Sequence, residues 1–117
     1  MSSIESLMSL DGADAAFEFS DTGELTDHRI SDGSNLSADS LDLLAHMFVA
    51  NIAIATMQAR GWEKATGQGG FYPVQGFTLI GLEWSAVGNG HRGVVLRNDA
   101  ADFEAAYAVL ESYASHD

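Results

Sequence analysis

Gly88-Asn89-Gly90-His91-Arg92-Gly93 matches the G-x-G-x-x-G spacing that, in dinucleotide-binding folds, turns a strand into a helix whose N-terminus holds a pyrophosphate. Here the motif is followed by Val94-Val95-Leu96, which reads as a strand, so the helix that chemistry needs is missing. Asn-Gly between two apolar runs is a hairpin signal in its own right, because both residues tolerate positive φ. The motif is therefore read as a turn. His91 and Arg92 at its tip could still hold a small anion as a paired imidazolium and guanidinium, and they are the ligand-binding candidates of the chain.

Other chemistry finds less support. Of the four histidines, His28, His46, His91 and His116, none sits three or four residues from another or from a convincing partner set, so no metal site is expected. There is no cysteine, which excludes disulfides, thiolate metal ligands and cysteine nucleophiles. Serines are plentiful, but none lies in a G-x-S-x-G elbow or an S-x-x-K setting. The carboxylate pairs Asp39/Asp42 and Asp99/Asp102 suit first turns of helices, where the dipole favours negative charge. No catalytic residue and no cofactor site is assigned.

The element that must organise this chain is a helix expected from Ser40 to Arg60. Leu41, Ala45, Phe48, Ile52, Ala55 and Ala59 step by four and three residues along one face, which Leu44 widens. Leu43, Met47, Ala50, Ile54 and Met57 keep the same rhythm nearly opposite, at about 100° of rotation per residue. One core needs one such face. The second calls for burial in a larger fold or against another chain, since soluble monomers rarely expose large apolar patches. His46 lies toward the edge of this second stripe, and Met47 and Met57 suit adaptable interface packing.

The 117 residues correspond to one domain, residues 1–117, with one sizeable core. Seventeen acids against five bases give a formal net charge of −12, which disfavours nucleic acid and anionic membrane surfaces. Dense carboxylates suit solubility in a salt-rich cytoplasm, or else attraction of a basic partner or a cation. Leu43 to Ala59 carries no formal charge, but it contains His46, Asn51, Thr56 and Gln58 and falls slightly short of the ~20 residues a bilayer needs. Met1-Ser2-Ser3-Ile4-Glu5 lacks the basic start of a signal peptide, so a cytoplasmic location is expected.

Along the chain, Ser2 to Leu10 is predicted as a short helix with capping-box spacing between Ser2 and Glu5, ended by Gly12. Ala13, Ala15, Phe17 and Phe19 alternate with Asp14, Ala16 and Glu18 as a strand with one buried face, and Leu25 to Ile30 returns after the turn Ser20-Asp21-Thr22-Gly23. Ser37 is a plausible N-cap for the long helix, which should stop near Gly61 before a flexible Ala65 to Gly70 loop. Strands are predicted over Val74 to Ile80, Glu83 to Val87 and Gly93 to Arg97. A final helix follows, with Phe103, Ala106, Tyr107 and Leu110 on one face. Helix, two strands, helix, three strands, helix, with short strand connections, describes an antiparallel sheet with helices enough for both faces: an α/β sandwich.

This order is similar to that of roadblock/LC7 proteins, which have a profilin-like fold; Leu10-Asp11-Gly12-Ala13 through Asp21-Thr22-Gly23-Glu24-Leu25 resembles their entry to the first hairpin. Tyr72-Pro73-Val74-Gln75-Gly76-Phe77, Val87-Gly88-Asn89-Gly90-His91-Arg92-Gly93-Val94-Val95 and Ala101-Asp102-Phe103 resemble more closely a small bacterial group related to roadblock proteins, DUF2173. The resemblance implies a five-stranded antiparallel sheet with the long helix on one face and the N- and C-terminal helices on the other. It also implies a homodimer joined by the long helices and by third strands paired across a two-fold axis, acting without catalysis as a platform beside a small GTPase or within an enzyme complex. Because the family's partner-binding positions vary, none is carried over to this chain.

The expected self-association surface is therefore Leu43, Met47, Ala50, Ile54 and Met57. Two rivals remain. One is a small-anion or small-molecule sensor with a pocket between the sheet, the Ala65–Gly70 loop and the His91–Arg92 tip. The other is an accessory subunit of a metabolic complex, in the setting of sulfur oxidation that the resemblance suggests.

Overall fold

The computed structural model describes residues 2–114, so His116 lies outside the described residues. Its elements are α1 (Ser3–Met8), β1 (Ala13–Phe19), β2 (Leu25–Ile30), α2 (Ala38–Thr66), β3 (Gly76–Ile80), β4 (Trp84–Asn89), β5 (Arg92–Arg97) and α3 (Phe103–Ala114). The strands form one sheet in the order β2-β1-β5-β4-β3, and every neighbouring pair is antiparallel. Because β2 and β3 are the two edges, the chain must cross the whole sheet between them. That crossing is made by α2, whose 29 residues span about 43 Å.

Two hydrophobic clusters sandwich the sheet. Ile4, Leu7, Ala106 and Leu110 from α1 and α3 pack on Ala16, Val87, Val94 and Leu96. On the other face Leu41, Ala45 and Phe48 of α2 pack on Ala15, Phe17, Phe19, Ala86 and Val95. The long helix on one side and the terminal helices on the other is the expected arrangement.

β1 departs from a simple one-sided strand. Its register with β5 shifts between Ala13 and Ala15, so Ala13 packs toward α1 and α3 while Ala15 packs toward α2. Ala16 is fully buried as well, because helices cover both faces of this inner strand. Asp14, set at the irregularity, is buried, and its carboxylate accepts hydrogen bonds from Ser31 Oγ (2.9 Å) and Ser34 Oγ (2.6 Å). It ties the β2–α2 connection to the sheet.

The long helix exceeds its predicted bounds at both ends. Ser37 Oγ accepts from Ser40 N while Ser40 Oγ accepts from Ser37 N, a reciprocal cap at the start. Gly61 does not stop it. A helical glycine costs only about 1 kcal/mol, and Trp62 to Thr66 continue the turn pattern. Termination comes at Gly67, where φ is +70° and the N–H bonds to the Glu63 carbonyl at 2.8 Å. Ala65 and Thr66, predicted as loop, are therefore helical.

The remaining boundaries shift by small amounts. Val74 and Gln75 stay outside β3, and β4 runs on to Asn89. In α3, Ala106 and Leu110 are fully buried, but Phe103 and Tyr107 are partly exposed; Val109 and Tyr113 complete the packing line, with the Tyr113 hydroxyl 2.9 Å from Ser6 Oγ.

Candidate functional site

The two stripes of α2 meet different fates. Leu41, Ala45, Phe48 and Ala59 are buried against the chain's own sheet and loops. Opposite them, Leu43 is 64% exposed, Ile54 55% and Met57 73%, and Met47 and Ala50 are exposed too. The structure thus brings all five proposed interface residues onto one open face. By length and apolar composition alone α2 could cross a membrane, and only 17% of its most apolar stretch is buried within the chain. Beside it stands β3, an edge strand whose outer backbone groups have no strand neighbour. Leu79 pairs with Ala86, which packs into the α2 cluster, so the exposed Leu79 side chain stands on the α2 face as well.

A second exposed apolar group stands apart from this stripe. Trp62, Phe71 and Tyr72 form an exposed aromatic patch where α2 ends. Trp62 and Phe71 meet edge to face at 6.1 Å, and the Arg60 guanidinium lies 4.3 Å from the Tyr72 ring centre while also donating to its hydroxyl. Glu63 accepts from the backbone N–H of Phe71 (2.9 Å) and Tyr72 (3.2 Å), and these bonds hold its carboxyl below the ordinary carboxylate range. Ending the helix at Gly61 hid this patch. Trp62, three residues after Ala59 on the rhythm of the first stripe, was the available signal.

The glycine-rich motif is a hairpin. Asn89 pairs with Arg92, leaving Gly90 and His91 as the two loop residues, and of these only Gly90 takes a positive φ, +64°. Gly88 and Gly93 serve packing. A Cβ on Gly88 would come within 2.8 Å of the Phe48 ring, and one on Gly93 would run into Phe17. They let aromatic rings lie on the sheet; no phosphate-binding helix follows.

His91 and Arg92 part company here, where the loop gives way to β5. His91 Nε2 donates to Asp21 Oδ1 at 2.6 Å, and its ring meets Phe19 edge-on. Arg92 reaches the opposite face, where its Nε donates to Glu18 Oε2 at 3.0 Å and its guanidinium lies over Tyr113. Glu18 also accepts from Ser3 Oγ, so this pair stitches the sheet to both terminal helices. A cavity of about 230 Å³ does open beside His91, bounded by Phe19, Phe48, Phe77 and Gln75, but neither Arg92 nor the Ala65–Gly70 loop lines it.

The polar candidates fall into structural roles. His46 Nδ1 lies 2.7 Å from the Asp42 carbonyl oxygen, and Asp42 Oδ1 accepts from Leu25 N, tying α2 to β2. Asp102 caps α3 through Ala105 N. Asp39 occupies the first turn of α2 and Asp99 lies 3.9 Å from Arg97. Among the described residues no three His, Asp or Glu side chains converge as metal ligands.

Comparison with known proteins places this architecture. The family model described as "Uncharacterized conserved protein (DUF2173)" matches residues 3–112. The chain belongs to the DUF2173 family. Solved structures show that the DUF2173 chain has the roadblock/LC7 fold. It superposes on "MglB with tetrameric arrangement" with a TM-score of 0.71 at 19% identity, covering 97% of this chain and 83% of that one. The gliding protein MglB of Thermus thermophilus gives 0.65 at 19% identity, covering 94% and 87%. A roadblock/LC7 domain from Streptomyces avermitilis gives 0.62 at 14% identity, covering 96% and 91%. No curated protein matches the DUF2173 sequence.

Proposed function

We propose that this chain is a non-catalytic, cytoplasmic interaction module that works as a homodimer. Leu43, Met47, Ala50, Ile54 and Met57 of α2 form the contact, with the β3 edge beside it. The observation that carries this reading is the exposed apolar stripe, which belongs to the longest helix of the fold and bears no formal charge between Leu43 and Ala59. Burying its larger side chains contributes roughly 1.5–3 kcal/mol each before the cost of ordering two chains. Ala50, small and central, lets two helix backbones approach closely.

The likeness to roadblock/LC7 structures supports the same reading, since one of them is described as MglB in a tetrameric arrangement. The assembled platform would hold a further protein, such as a small GTPase or a component of an enzyme complex, as the family resemblance implies. Sedimentation of Ile54→Asp tests the surface: the wild type sediments as a dimer and the variant as a folded monomer or an aggregate. A variant that still sediments as an unaltered dimer overturns the assignment.

A further inference from the structure

We propose that the cavity beside His91 is a binding site for a small uncharged aromatic molecule carrying a single hydroxyl group. It is a cleft of about 230 Å³ that opens to solvent, with Asp21, Ala53, Gln75 and Gly90 exposed around it and Phe48 buried at its base. It lies where the β1–β2 turn and the β4–β5 hairpin meet beneath the middle of α2. Its walls are aromatic and held in place. Phe48 stacks on Phe17 with ring centres 5.7 Å apart and meets Phe77 edge-on at 5.5 Å, so neither ring is free to swing in and fill the space. Gly90 contributes no side chain and Ala53 only a methyl group, which keeps the space open.

The chemistry of the walls sets the class of occupant. An apolar cavity of about 150 Å³ already accepts benzene, so this one has room for a single ring with a short substituent. Its mouth is polar: Gln75 offers an amide, and His91 and Asp21 form their hydrogen-bonded pair there. A hydroxyl can both donate and accept in such a setting. An anion is disfavoured by the Asp21 carboxylate at the rim and by the net charge of −12. Val49 and Ala53, which line the cavity, lie on a flank of α2 between its two stripes, so the site is distinct from the proposed dimer surface.

The test uses the full chain with benzyl alcohol and its charged counterpart benzoate, read by saturation-transfer NMR and by thermal shift. Benzyl alcohol is expected to bind saturably, with nuclear Overhauser contacts to the Phe48 and Phe77 rings, and benzoate to bind at least tenfold more weakly. Ala53→Phe, which fills the space, should reduce binding at least tenfold with an unchanged circular dichroism spectrum. Absence of wild-type binding, contacts to other rings, or equal affinity for benzoate overturns the assignment, as does binding unaffected in a folded Ala53→Phe protein. Because the ring contacts are read on the wild type, they decide the question even if that variant fails to fold.

Discussion

Phe48 lies directly on the backbone of Gly88: a Cβ at that glycine would come within 2.8 Å of the ring. The ring cannot retreat, because Phe17 stacks on it and Phe19 and Phe77 meet it from the sides. Gly88→Ala should therefore destabilise the fold by about 1–3 kcal/mol through overpacking, read as a lower midpoint in urea with an unchanged slope. A wild-type midpoint would show that the helix rides up from the sheet at no cost.

If α2 carries a self-association surface, folding and assembly are linked. The thermal midpoint of the wild type should rise with protein concentration, and that of Ile54→Asp should not. Calorimetry over a hundredfold concentration range separates the two behaviours.

Asp14 bonds two serines of the β2–α2 connection from a buried position. Replacing it by alanine leaves Ser31 and Ser34 without their acceptor and should cost about 1–3 kcal/mol, measured by chemical denaturation. Amide exchange should accelerate first in residues 31–36, ahead of the sheet.

Glu63 is held below its ordinary value of 4.5, first by the Tyr72 N–H and then by that of Phe71. A folded-state value lower than the unfolded one means that this clamp contributes fully above pH 4.5 and is lost as the pH falls through the depressed value. The Phe71 and Tyr72 amide signals should shift with a midpoint below 4.5, and Glu63→Gln should abolish that titration. A midpoint at or above the ordinary value would contradict the geometry.

The elements themselves were legible because their signals are local. Ser37 caps the long helix as its place after a polar connection suggests, and Leu25 to Ile30 falls in the chain as predicted. The end of α2 was misplaced because Gly61 carries a real but small penalty, which the following residues outweigh and which only the left-handed Gly67 resolves. The one-sided reading of β1 failed for a similar reason. Alternation identifies a strand, but Ala16 and Asp14 are buried by helices that lie far off in sequence.

What the sequence determined by itself, then, is the order of elements, the two apolar faces of the long helix and the turn character of the glycine-rich motif, since periodicity, capping and positive φ each act over a few residues. Tertiary structure decided how those pieces face one another. It sent His91 to a cavity and Arg92 to the opposite side of the sheet, gathered Trp62, Phe71 and Tyr72 into an exposed patch at the end of α2, and set Phe48 upon Gly88. Which atoms share a space depends on strand register and on the path of a helix across five strands, and no short window of sequence holds either.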